Sequence, residues 1–179
     1  MTKKTIQLIL GLSAMLSHAQ VLMGEGATAS PSNASVINNS SVSLAFSNNN
    51  KGVILPWVTK TEDVLGQTNG SLVYDVSRKS VHIKLASGWL DLTQNDNGVV
   101  DTSLQDPATS QANGKVSIGT PTTTKGILVL EDTTKAMVLP KVTDPHLNIN
   151  YPATGMMVYD NTKQTFCVFN GTEWTFWKP

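Results

Sequence analysis

A chain of 179 residues has room for one ordinary domain or two small ones, and its 13 basic and 13 acidic side chains cancel. No basic stripe awaits phosphates, which argues against a nucleic-acid partner. The single cysteine, Cys167, permits no intrachain disulfide, so an exported form must draw its stability from packing.

In chain order, residues 1–19 read as a cleaved signal peptide. Lys3 and Lys4 precede the apolar run "IQLILGLSAML" (6–16), and Ser17 and Ala19 supply small residues before a cut at Gln20. The run is too short to span a bilayer, and no second run of membrane length follows. The alternative, a buried N-terminal helix, would need a helical period and a polar face that the segment lacks. Cleavage removes two Lys, leaving 11 basic against 13 acidic side chains. No Cys follows the cut, so no lipid anchor is expected there. Residues 20–42, with "GEGATASPSNAS" at 24–35, read as a flexible mature N-terminus.

The rest is duplicated. "KGVILPWVT" (51–59) aligns with "KAMVLPKVT" (135–143) at an offset of 84. "GSLVYD" (70–75) then aligns with "GMMVYD" (155–160) at 85, with a Trp fifteen residues after each Tyr. This gives a first β module over 43–94 and a second over 114–179. The Asn-, Asp- and Ser-rich stretch 95–113 between them reads as a linker.

The expected fold is all-β. Period-two alternation at 165–169, the turn "NGTE" and the strand "WTFW" (174–177) describe hairpins. "SVHIKL" (80–85) and "WLDL" (89–92) repeat the pattern, so each module should end in a three-stranded meander. Gly70, Tyr74, Asp75 and Trp89, with Gly155, Tyr159, Asp160 and Trp174, are the structural repeat positions. Pro56 and Pro140 each remove a ladder donor and should lie at strand ends or edges.

Few residues suggest chemistry. His82 alternates with Val81 and Ile83 and should face solvent; His146 sits in a loop beside Pro145. Neither has partners at metal-ligand spacing. Asp75 and Asp160 could hold calcium, but a carboxylate at a strand end more simply accepts turn amides. Cys167 fits a small buried apolar residue, with an intermolecular disulfide as the sharper alternative. No catalytic residue, metal or cofactor site is expected, and hence no enzyme. Trp57 and Trp177 stand in one module only, opposite Lys141 and Leu92. With Phe176 and Tyr151 they are candidate ligand or interface contacts, unless they fill a slightly different core.

Sixty-residue modules sit near the limit for folding alone. The long polar linker disfavours packing of one module on the other, so association of chains is the physical expectation.

The phrases "GKVSIGTPTTTKGILVL" (114–130), "KAMVLPKVT" and "PATGMMVYDNTKQTFCVFNGTEW" (152–174) resemble repeat modules of secreted or surface proteins of Bacteroidetes. The resemblance covers most of 43–92 and 114–177; the first module lacks the Gly-Ile-Gly-Thr opening and the Pro-Ala-Thr-Gly. Similar segments occur in fibre-like proteins that assemble as trimers. The resemblance implies location and architecture rather than activity: a repeat protein exported to the periplasm, outer surface or surroundings of a Gram-negative bacterium. With no catalytic constellation, the expected function is a non-enzymatic structural or adhesive element. To the homo-oligomer expected from module size the resemblance adds a trimer as one form, and the unduplicated Trp rings suggest surface glycans or another surface protein as partners. A carbohydrate-binding module using exposed Trp rings is the alternative.

Overall fold

The computed structural model describes residues 21–23, 41–46, 50–103 and 114–178. The signal peptide read over 1–19, most of the segment 20–42 and linker residues 104–113 lie outside the described residues. The chain is all-β. Among the described residues, fourteen short strands form four sheets, with a 3-10 turn at Thr61–Asp63 and one helical turn at Pro145–Asn148.

The first seven strands are β1 (Val21–Met23), β2 (Val42–Phe46), β3 (Val53–Ile54), β4 (Trp57–Val58), β5 (Leu72–Asp75), β6 (Ser80–Leu85) and β7 (Gly88–Asp91). The second seven are β8 (Val116–Gly119), β9 (Leu128–Glu131), β10 (Ala136–Met137), β11 (Lys141–Val142), β12 (Met156–Asp160), β13 (Thr165–Phe169) and β14 (Trp174–Trp177).

The two sets match in order and register. β4 to β7 form one sheet and β11 to β14 another, each a meander preceded by a two-residue parallel strand. Trp57 and Val58 pair with Tyr74 and Asp75; Lys141 and Val142 pair with Tyr159 and Asp160. The two prolines end the strands before these additions, yet their carbonyls still accept, from the Tyr74 and Tyr159 amides at 2.9 Å each. Upstream, each set opens on a parallel pair, with Val21 opposite Leu44 and Val116 opposite Leu128. Leu44 and Leu128 are separated by the same 84 residues as the Leu-Pro segments. Val21–Met23 is therefore strand, within a segment whose composition reads as flexible.

Each meander turns where Asp75 or Asp160 gathers the following amides, and each turn ends on a left-handed residue, Lys79 (φ 56°) and Gln164 (φ 55°). Neither position is glycine, so the cost is met by the carboxylate's hydrogen bonds.

The two repeats cover each other. Leu55, Tyr74, Val81 and Leu92 from the first share one buried core with Met157 and Val168 from the second. A second, smaller core lies wholly within the later repeat, where Val142, Ile149, Met156, Val158, Cys167 and Phe169 meet. The expectation that the linker keeps the modules apart is thereby corrected. Its first residues are themselves docked: Val100 packs on the shared core, and the Asn95 and Asn97 side-chain oxygens accept from Asn170 Nδ2 at 2.5 and 2.7 Å. A polar composition identified the stretch as unable to make its own core, but Asn side chains satisfy the partner hairpin instead.

Candidate assembly interface

Two strand pairings cross between the repeats. β3 lies antiparallel to β12, with Ile54 opposite Met156 and Val53 opposite Met157. β10 lies parallel to β2, with Ala136 opposite Val42 and Met137 opposite Leu44. β3 and β10 are equivalent Leu-Pro segments, yet they use opposite edges. In the first, the Leu55 amide faces the other repeat and donates to the Gly155 carbonyl at 3.0 Å. In the second, Ala136 and Val138 donate to the Ser41 and Leu44 carbonyls at 2.7 and 2.8 Å. Alternate residues of a strand point their amides to opposite sides. Such a segment can therefore join two neighbours at once, one on each side.

Aromatic side chains pin this contact. Tyr74 is fully buried, and its hydroxyl donates to the Asn170 carbonyl at 3.0 Å. Burial pushes its phenol up to about 12, with the neighbouring Asp75 charge adding to the rise. The Trp57 indole N–H donates to the Thr154 carbonyl at 2.9 Å, and the Trp177 N–H to the Leu92 carbonyl at 2.6 Å. Both rings are half-buried against the shared core. They are contacts between repeats, which is why each occurs once: its partner lies in the other repeat, not its own.

The remaining aromatic candidates lie elsewhere. Tyr151 is 99% exposed on a left-handed backbone (φ 53°). Phe176 meets the edge of His146 with ring centres 5.8 Å apart, and Lys163 Nζ lies 4.4 Å over its face. Trp89 and Trp174 are half-buried: Trp89 donates to Gln67 at 3.2 Å, and Trp174 packs on Phe169 at 5.3 Å. Tyr159, the counterpart of Tyr74, is half-buried.

Both repeated carboxylates are buried and hold turn amides. Asp75 accepts from Thr61 N (2.8 Å), Arg78 N (2.9 Å) and Ser77 Oγ (2.8 Å), and pairs with Arg78 Nη1 at 2.6 Å. Burial pushes this carboxyl up, but those donors outweigh it and hold it at about 2. Arg78 also bonds Glu62 at 2.6 Å. Asp160 accepts from the amides of Asp144, Thr162 and Lys163, while its Oδ2 has no partner among the described residues. Lys163 replaces Arg78 there and turns to Phe176 instead. These bonds give the two carboxylates a structural task.

His82 departs from expectation. It is buried, with Nε2 2.8 Å from Ser80 Oγ, and burial pushes its imidazole below the ordinary value against the pull of Asp91 and Asp75. The face opposite the shared core is covered too, since its cross-strand neighbour Val73 is equally buried. Cys167 is buried and unpaired within the chain, its thiol pushed up by burial. Among the described residues no three His, Cys, Asp or Glu side chains gather as a metal site, and no helix is long and apolar enough to cross a membrane.

Residues 116–178, running from β8 to the end of β14, match the family model described as a phage tail like trimerisation region. The match covers just over a third of the chain. It supports a structural, trimer-forming role for the second repeat. No curated protein and no solved structure matches the chain.

Proposed function

We propose that this chain is an exported, non-enzymatic building element that assembles as a homotrimer at a bacterial cell surface, where it acts in scaffolding or adhesion. The observation that carries the reading is the trimerisation-region match over a repeat whose apolar strands are left partly uncovered. Ile127, just before β9, and Leu128 at its start are 67% and 42% exposed. A thin β repeat with such residues outside needs a neighbour. Export rests on the basic, apolar and small-residue segments of 1–19. Adhesion rests on the resemblance to surface repeat modules, and the ligand class would be surface glycans or another surface protein. Trp57 and Trp177 are tied to backbone carbonyls inside the chain, so they do not favour a sugar platform.

Expression with its own N-terminus in a Gram-negative host tests the export half. The account predicts a processed product starting at Gln20, with trimers trapped by brief amine cross-linking of intact cells and cleaved by added protease. Unprocessed protein confined to the cytoplasm would overturn it.

A further inference from the structure

The two repeats use their Leu-Pro segments unequally, and that leaves a matched set of open edges. Among the described residues, β2 is covered on one side by β1 and on the other by β10, while its counterpart β9 has only β8. β3 pairs with β12, and no described strand pairs with the opposite edge of β3. β10 pairs with β2 through Ala136 and Val138, and no described strand takes its Met137 and Leu139 edge. Among the described residues, β5 receives β4 at Tyr74 and Asp75 but nothing at Leu72, where β12 receives β3.

Burial follows the same inequality. Leu44 of β2 is 0% exposed, whereas its counterpart Leu128 is 42% exposed. Met157 of β12 is 3% exposed, while its counterpart Leu72 is only half-buried. A side chain built on Gly155 (φ 77°) would meet Tyr74, Trp57 and Leu55; one built on Gly70 (φ 88°) would meet nothing within 4 Å.

We propose that a second copy of this chain fills these edges, joining the later repeat of one copy to the earlier repeat of the next. The contact uses the same two pairings that join the repeats within a chain. Gly52 and Ile54 of one copy donate to the Lys125 and Leu128 carbonyls of its neighbour. In the other direction, Leu139 donates to the Gly70 carbonyl across the contact. The four open edges are complementary in pairs, β9 with β3 and β10 with β5, and continuous with the interface already formed inside the chain. Because the joined surfaces differ, the contact is head-to-tail and either closes into a ring or runs on as a fibre. Closure at three copies rests on the trimer reading above; six repeats would then alternate round one ring.

The test is directed disulfide formation. Within the chain Ile54 faces Met156; their counterparts across the proposed contact are Val138 and Ser71. A non-hydrogen-bonded antiparallel pair has Cα atoms about 4.5 Å apart, inside disulfide range. Ser71→Cys and Val138→Cys chains refolded together and oxidised should give a covalent dimer, while either alone should not. A solution trimer whose mixed variants stay unlinked, or whose single variants link equally well, overturns this pairing and leaves the trimer standing. A chain that remains monomeric overturns both. Leu128→Glu supplies an independent arm, since that side chain is exposed in the isolated chain but covered in the assembly. It should convert the oligomer to monomer with unchanged circular dichroism, and an undiminished oligomer would contradict the proposal.

Discussion

Tyr74→Ala is expected to destabilise the chain by about 3–5 kcal/mol, the range for emptying a buried aromatic site. The ring lies at the centre of the core shared by the two repeats, and its hydroxyl supplies the Asn170 carbonyl. The same change at Tyr159, a half-buried ring at the equivalent register, should cost about 1–2 kcal/mol in the isolated chain. Tyr74→Phe separates the two contributions. It keeps the burial and removes one hydrogen bond, worth about 0.5–1.5 kcal/mol. Urea unfolding read by tryptophan fluorescence gives all three values. Equal losses at Tyr74 and Tyr159 would mean that the repeats do not share a core. The phenol adds an alkaline signature. Its folded value is raised to about 12, so its contribution is complete below the ordinary value near 10 and is lost as pH climbs towards 12.

The second large effect belongs to Asp75. Asp75→Ala leaves the Thr61 and Arg78 amides without their acceptor at a buried site, while the half-exposed Arg78 guanidinium keeps Glu62 and Thr61 Oγ1. An amide left unmet at such a site costs about 1–3 kcal/mol, and the half-exposed Arg78 adds little because Glu62 still pairs with it. The pH dependence follows from the sign of the shift. The folded carboxyl is depressed to about 2 from an ordinary value near 4, so its stabilisation is present above pH 4 and is lost as pH falls towards 2. Glu62, hydrogen-bonded to Arg78, and Glu131, bonded to Lys115 and Ser117, are held at about 2 and titrate in the same window. The variant should therefore be less stable at pH 7 yet lose less on acidification. An acid dependence identical to the parent chain would remove Asp75 from its place as the turn's anchor.

Much of this was written in the order of residues. Alternation around Tyr74 and Tyr159 marks the meander strands, and the Leu-Pro segments mark where the chain leaves one ladder for another. The added parallel strands were not legible, because two residues such as Lys141 and Val142 are too few to show a period. Nor was the crossing of β3 to β12 and of β10 to β2, which depends on backbone edges and not on side-chain pattern. Alternation placed His82 correctly on the face opposite Val81 and Ile83, but it could not say that this face is covered as well. The docked linker escaped composition for a related reason. Asn95 and Asn97 are polar and not themselves buried; they dock because their side-chain oxygens satisfy the fully buried Asn170 amide, which only the partner hairpin supplies. Trp57 and Trp177 carried a usable signal: a ring present in one repeat alone marks where that repeat meets something else, here the other repeat.

Sedimentation of the processed chain across micromolar concentrations bears most directly on the claim that repeat-to-repeat pairing continues from one copy to the next. A single species of three chain masses, with no lighter form until the β9 edge is disrupted, is the predicted result. A compact monomer at every concentration, with Leu128 and Gly70 open to solvent, would contradict it.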